Sequence, residues 1–170
     1  MSVYFDNEIG DRLSERYKSI VLEIVDASLE YLNCPYECEV NVLFTDDEGI
    51  RQINNEFREI DAPTDVLSFP LIDYQKPADF EKLEDNPYEF FNQDTGELML
   101  GDIVLNVDRI LKQAKEYNHS EYREVAFLTA HSMLHLAGYD HIEDEERIIM
   151  EDLQEKILNM KGYMRDYEEN

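Results

Sequence analysis

The sequence predicts one domain in which helices are mixed with three or four short strands, of the α+β or mixed α/β class. Two features predict this class: long segments in which apolar residues recur at the helical spacing, and short segments in which apolar and polar residues alternate. A chain of 170 residues has the size of a single domain and is long enough to bury a core. We therefore expect one domain over residues 1–170.

The N-terminal part is expected to hold two helices with a strand between them. Residues 12–32 place apolar side chains along one face of a helix, which ends before Pro35. Residues 38–44 alternate as a strand does. Thr45 is placed to cap the second helix, whose first turn is acidic, as the positive end of a helix favours.

The middle of the chain predicts two more strands, a helix and a long insertion. Residues 64–69 are expected to form a strand closed by Pro70, and residues 98–107 form another, followed by a helix over 108–117. The stretch 71–97 is acidic and shows no sustained period. We interpret it as a solvated, partly mobile insertion loop in preference to a functional lid.

Two helices are expected in the C-terminal part. Ser120 is placed to cap the first, and Gly138 suits a left-handed cap at its end. The second begins near Glu143. Its buried face is expected to consist of Ile149, Leu153, Ile157 and Met160.

The charge of the chain limits its partners. Forty acidic residues against 15 basic ones give a net charge of -25, which argues against binding nucleic acid or anionic membrane over the whole surface. Attraction for a polyanion must therefore be local. One of the few positive stripes consists of Arg109, Lys112 and Lys115, which we interpret as a solvated face or as one side of a positive cleft.

The small number of cysteines and the absence of long apolar segments indicate the cellular compartment. Cys34 and Cys38 are too few for a disulfide framework or a four-thiolate zinc site and are interpreted as ordinary thiols of a reducing compartment. The N-terminus has no secretory signal pattern, and no run of about 18 apolar residues occurs. We expect a cytoplasmic protein without a membrane span.

Three of the four histidines fall within the segment HSMLHLAGYDH, at His131, His135 and His141. Residues four apart lie on one face of a helix, so the first two imidazoles can converge on one ion. Gly138 permits the chain to turn back and bring the third. Three neutral imidazoles with an open fourth position suit Zn²⁺, with water or substrate in that position. The fourth histidine, His119, is expected at the surface or at a helix cap.

The same spacing occurs in the zinc peptidase pattern H-E-x-x-H-x-x-G-x-x-H. Here Ser132 stands where that pattern has its general base Glu, and a hydroxyl cannot accept a proton near neutral pH. A peptidase is therefore disfavoured. Asp140 is interpreted as an acceptor for an imidazole N–H or as a turn residue.

Three blocks of the sequence resemble the YbeY endoribonucleases, also called rRNA maturation factors. Residues 131–141 match the pattern H-G-x-L-H-L-x-G-Y-D-H except at Ser132, where Gly is usual. Residues 58–70 resemble R-x-x-D-x-P-T-D-V-L-S-F-P, and residues 100–104 read L-G-D-I-V. The resemblance spans residues 40–141, and the three blocks together are specific.

The resemblance implies an α+β domain with a small mixed sheet flanked by helices and a metal site at the end of a helix. It further implies a zinc-dependent, single-strand-specific endoribonuclease that acts in 16S rRNA 3′-end maturation and ribosome quality control. One Zn²⁺ with a bound water would be held by His131, His135 and His141, and the family's important arginine falls on Arg58. The partners it implies are single-stranded RNA, the small ribosomal subunit and a ribosomal protein or GTPase, with no DNA and no membrane.

Several alternatives stay open at this point. Arg58 could form a salt bridge at a helix end instead of binding phosphate, and Thr64, Asp65 and Ser68 are expected to order the chain beside the cleft more than to act in catalysis. The attacking group could be a metal-activated water or the ribose 2′-hydroxyl. The main rival function is a non-catalytic ribosome assembly factor that a metal stabilises.

Overall fold

The computed structural model describes residues 1–163, and over that range it is an α+β domain with one small mixed sheet flanked by helices, as predicted. The strands are β1 (Ser2–Asn7), β2 (Cys38–Thr45), β3 (Val66–Pro70) and β4 (Leu98–Asn106). The helices are α1 (Glu15–Tyr31), α2 (Asp47–Arg58), α3 (Pro87–Phe90), α4 (Val107–Glu116), α5 (Glu121–Leu136) and α6 (Asp144–Met160). Residues 164–170 of the predicted domain lie outside the described residues.

The sheet has the order β1-β2-β4-β3. Strands β1, β2 and β4 are parallel, and β3 runs antiparallel to β4 at one edge. The sequence analysis did not predict β1. Only Val3 and Phe5 of this edge strand pack against the core, and both are half-buried, so its apolar signal is too short to stand out.

The main core lies between one face of the sheet and the helices α1, α5 and α6. Helix α5 packs against α1, α4, α6 and β3, and eleven of its sixteen residues are buried. A helix that is enclosed on most sides has no wide polar face. The opposite face of the sheet is covered in part by α2, where Ile50, Leu67 and Val104 form a small second cluster.

The insertion at residues 71–97 contains more structure than predicted. It holds a 3₁₀ helix (Phe80–Asp85) and α3, and the side chains of Phe80 and Leu83 are buried in the main core. The Ala78 amide also donates a hydrogen bond of 2.8 Å to the carbonyl of Ala137, at the end of α5. The expectation of a merely solvated loop was wrong, because a few irregularly spaced apolar residues anchor this segment.

Two details of the predicted helices were also wrong. The cap of α2 is Asp46, whose side chain accepts a hydrogen bond from the Gly49 amide at 2.9 Å, while Thr45 is the buried last residue of β2. The buried face of α6 consists of Met150, Gln154, Ile157 and Leu158. Ile149 and Met160 are exposed, because the apolar run 148–150 leaves the helix face ambiguous and a buried Gln carries no apolar signal.

Gly101 allows β3 and β4 to approach each other closely. Its φ is +139°, and a Cβ placed there would overlap the carbonyl oxygen of Phe69 on β3. Only a residue without a side chain fits this backbone and this contact.

We expect Gly101→Ala to lower the free energy of unfolding by at least about 3 kcal/mol, because it adds backbone strain to a backbone clash. The matched control is Gly96→Ala, at a φ of +77° with nothing within 4 Å, which should cost only about 1 kcal/mol. Urea denaturation of the three proteins measures both values. Equal losses of unfolding free energy in the two variants would show that the contact with Phe69 does not add to the destabilisation.

Candidate metal centre

Three histidines converge at the C-terminal end of α5. His131 and His135 lie in its last two turns, and His141 follows in the loop before α6. One ring nitrogen from each lies within 4.8 Å of the others, and the Nε2 atoms of His131 and His135 are 3.1 Å apart. The structure therefore brings together the three residues that the spacing singled out.

The turn after α5 places His141. Gly138 has a φ of +98°, and the amides of Gly138 and Tyr139 donate to the carbonyls of His135 and Leu134 at 3.0 and 2.9 Å. This is the left-handed cap predicted for Gly138. Asp140 then accepts a hydrogen bond of 2.8 Å from the backbone amide of His141. Of the two roles predicted for Asp140, the turn role is the one present.

Hydrogen bonds orient the first two imidazoles. The Nδ1 atom of His135 lies 3.0 Å from the carbonyl oxygen of Tyr139, so Nδ1 carries the proton and Nε2 is left with a lone pair. His131 hydrogen-bonds the side chain of Gln154 on α6. Gln154 is 4% exposed, and its amide nitrogen donates to the Phe127 carbonyl at 3.2 Å. The sequence analysis missed this residue, since nothing marks a buried Gln on an otherwise apolar helix face.

The chemistry of this donor set fits a metal ion. His135, protonated on Nδ1, presents the lone pair of its Nε2 atom towards Nε2 of His131, where a metal ion would accept it. A tetrahedral zinc ion with bonds of about 2.05 Å would place its ligand nitrogens about 3.3 Å apart. The observed separation of 3.1 Å between the two Nε2 atoms is close to that value.

The surroundings of His131 and His135 favour the uncharged form of these two imidazoles. Burial, followed by the effects of the neighbouring His135 and His141, lowers the pKa of His131 to about 4. Burial also lowers the pKa of His135, followed by the effect of His141. Since metal ions bind neutral imidazole, these ligands would be ready to bind at neutral pH without losing a proton.

The histidines open into a cleft of about 700 Å³ that Arg58 also lines. Arg58 is the last residue of α2, which ends at Glu59 in the left-handed conformation (φ +58°). Its guanidinium is near enough to lower the pKa of His135. Within residues 1–163 the exposed Arg58 forms no ion pair, so the alternative of a helix-end salt bridge finds no partner there.

Thr64, Asp65 and Ser68 line the same cleft. Asn106 holds the first two: its side-chain nitrogen donates to the Thr64 carbonyl at 2.9 Å, and its backbone amide donates to the Asp65 carbonyl at 3.0 Å. The Ser68 hydroxyl donates to the Ser132 hydroxyl at 2.9 Å. These contacts order the wall of the cleft, which is the kind of role that the sequence analysis favoured for the three residues.

Other polar residues singled out in the sequence lie outside the cleft. The stripe of Arg109, Lys112 and Lys115 is absent from its lining, and Arg109 lies 3.7 Å from the Asp47 carboxylate. Of the two places expected for His119, the structure favours the helix cap: this half-buried residue directly precedes the cap residue Ser120 of α5, and its Nε2 atom lies 3.1 Å from the carboxylate of the buried Glu124. Among residues 1–163, no helix is both long enough and apolar enough to span a bilayer.

The lowered pKa of His131 predicts a pH effect on stability. The unfolded chain takes up a proton at this residue below about pH 6.5, whereas the native state does so only near pH 4. The metal-free protein should therefore lose on the order of 3 kcal/mol from this residue as the pH falls from 6.5 to 4. Comparing urea denaturation of the wild type and His131→Asn cancels the other titrations. A stability difference between the two that stays constant over this pH range would contradict the prediction.

Comparison with known proteins agrees with these features. The profile of the family described as Endoribonuclease YbeY matches residues 4–162. The protein of that name from Agathobacter rectalis is 52% identical over 165 residues, covering 97% of this chain and all of the relative. The one from Lachnoclostridium phytofermentans is 50% identical over 159 residues, covering 94% of this chain and 96% of the relative. The solution structure of TM1509 from Thermotoga maritima shares the fold, with a TM-score of 0.53 and 24% identity over 100% of this chain and 96% of that one. The chain belongs to the Endoribonuclease YbeY family.

Proposed function

We propose that this protein is a metal-dependent endoribonuclease that cleaves single-stranded RNA. The observation that carries the proposal is one cleft lined by three converging histidines and by an arginine without an ion pair among the described residues. The relatives named Endoribonuclease YbeY support it. Within the cell, the expected substrate is 16S rRNA during 3′-end maturation and ribosome quality control.

The metal would be one zinc ion held by His131, His135 and His141, with water in the fourth position. When bound, such an ion lowers the pKa of its water or polarises a phosphoryl oxygen. The protein residues support this chemistry by fixing the ligands in advance. The Tyr139 carbonyl selects the His135 tautomer in which Nε2 faces the ion, and the Gln154 side chain contacts His131.

Arg58 would bind the phosphate of the RNA. A guanidinium stays charged at neutral pH and can donate two parallel hydrogen bonds to phosphate oxygens, which stabilises the charge that grows during cleavage. Its position in the cleft that the three histidines also line suits this role. Arg58 is the one Arg or Lys among the described residues that line the cleft, and Asp65 and Asp140 line it as well. Positive charge in the cleft would therefore come from Arg58 and the bound ion. RNA binding is then expected to be local and salt-sensitive.

Two other functions are less well supported. In a peptidase of the spacing discussed above, residue 132 would have to reach the reacting centre, but Ser132 is fully buried and hydrogen-bonded to Ser68. A non-catalytic assembly factor would use the ion for stability alone, and it gives no reason for Arg58 to line the cleft without an ion pair among residues 1–163. Binding to the small ribosomal subunit, to a ribosomal protein or to a GTPase stays a prediction, as does the cytoplasmic location.

Removing one ligand should abolish tight zinc binding. His141 is exposed, so we expect His141→Ala to keep the fold while lowering zinc affinity by more than about 100-fold. Elemental analysis and chelator competition measure the stoichiometry and the affinity, with one zinc per chain expected for the wild type. The fourth histidine provides the control, because His119→Gln should bind zinc as the wild type does. Undiminished affinity in His141→Ala would rule out the three-histidine site.

Removing the guanidinium should slow RNA cleavage without loss of the metal. Arg58→Ala is expected to lower kcat by about 10²–10³-fold on single-stranded RNA, because a charge that stabilises the transition state is lost. Lys112→Ala removes the same charge from an exposed position outside the cleft and should cleave normally. Zinc content is measured in parallel. If Arg58→Ala cleaves as fast as Lys112→Ala, Arg58 has no catalytic role, whereas absence of cleavage by the purified wild type would favour the assembly-factor alternative.

A further inference from the structure

The two cysteines lie side by side, away from the metal cleft. Their Sγ atoms are 3.6 Å apart, and both thiols are within reach of the Tyr36 carbonyl oxygen, at 3.8 Å for Cys34 and 3.5 Å for Cys38. Cys38 is fully buried at the start of β2, where it pairs with Leu98 of β4. Cys34 is half-buried and lies in the irregular segment between α1 and β2. One thiol is therefore fixed and enclosed, and the other is mounted on a loop at the surface.

We propose that Cys34 and Cys38 form a redox-active thiol pair that small disulfides such as oxidised glutathione convert into an intramolecular disulfide. A disulfide bond is about 2.05 Å long, so the two sulfur atoms must approach by roughly 1.5 Å. Rotation of the Cys34 side chain, carried by the loop, can supply this movement while Cys38 stays in its strand. The proposal concerns a separate site and does not depend on the proposed nuclease function.

The environment gives the two thiols different roles. The hydrogen bond with Cys38 lowers the pKa of Cys34, whereas the hydrogen bond with Cys34 and burial raise the pKa of Cys38. The thiolate is the attacking form of cysteine, and it must also be reached by the oxidant. Cys34 meets both conditions and is the attacking residue, and Cys38 is the resolving residue.

The reaction has two exchange steps. The Cys34 thiolate attacks one sulfur of oxidised glutathione, which breaks that S–S bond, forms a mixed disulfide and releases one glutathione thiolate. Cys38 then gives up its proton, and its sulfur attacks Cys34 Sγ and releases the second glutathione thiolate. The two protein thiols lose two electrons and two protons in total, and the glutathione disulfide becomes two glutathione thiols.

The neighbouring contacts show which part of the fold the new bond would join. Tyr36, between the two cysteines, packs edge-on against Phe91 with 5.0 Å between ring centroids. Its hydroxyl donates to the carbonyl of Phe80 at 3.5 Å. A disulfide between Cys34 and Cys38 would therefore close the loop at residues 34–38, whose Tyr36 contacts the insertion 71–97.

The test is to incubate the full-length protein with oxidised glutathione and to follow free thiols and intact mass. The wild type should lose both thiols and two hydrogen atoms and carry no glutathione. Cys38→Ser should stop with one glutathione on Cys34, because no resolving thiol is present. Cys34→Ser should react at least about tenfold more slowly, because Cys38 is buried.

Three results would overturn the proposal. The wild type could keep both thiols, it could collect glutathione adducts without forming the internal disulfide, or Cys34→Ser could react as fast as Cys38→Ser. A sample in urea tests the contribution of the fold. The equilibrium constant for disulfide formation with glutathione should be at least about tenfold larger in the folded protein than in urea. Equal constants would mean that the arrangement of the two sulfur atoms at 3.6 Å does not favour the disulfide.

Discussion

The burial of α5 is the constraint on which the rest of the structure depends. The helix is enclosed by α1, α4, α6 and β3, so its polar residues must be satisfied within the protein or be grouped where the helix emerges. Ser132 meets this requirement by accepting a hydrogen bond from Ser68. His135 meets it through Nδ1, which lies against the Tyr139 carbonyl, and His131 meets it through its interaction with the Gln154 side chain. The Nε2 atoms of the two histidines face one another at 3.1 Å, which is where a metal ion would bind.

The same enclosure explains why the protein can hold a positive site despite a net charge of -25. The half-buried imidazoles of His131 and His135, whose pKa values are lowered, would bind an ion without adding charge of their own. Arg58 lines the same cleft from the end of α2. Since the net negative charge discourages contact with polyanions elsewhere on the surface, the proposed contact with RNA phosphate would be confined to this cleft.

Much of this arrangement was predictable because it depends on local geometry. The spacing of His131 and His135 fixes their common helix face, and Gly138 indicates the turn that returns His141. Only the family resemblance predicted that Arg58 belongs to the site, since nothing in its local sequence shows that α2 ends at the cleft of the histidines.

Contacts between segments distant in sequence were not predictable in this way. Gln154 is a polar residue on a helix whose apolar run at 148–150 is compatible with more than one buried face, so only the packing of α6 on α5 reveals it. Strand β1 was missed because an edge strand with two half-buried apolar residues carries too little signal. The insertion is held by Phe80 and Leu83, whose spacing follows no helix or strand period.

The contact between Gln154 and His131 also bears on how the site is assembled during synthesis. The chain emerges from the ribosome in order, so all three histidines are complete before residue 154 has been added. A nascent chain therefore carries every ligand before it has the side chain that orients the first one. The final geometry of the metal centre must wait for α6 to dock, which couples the maturation of the site to the completion of the core rather than to the arrival of its ligands.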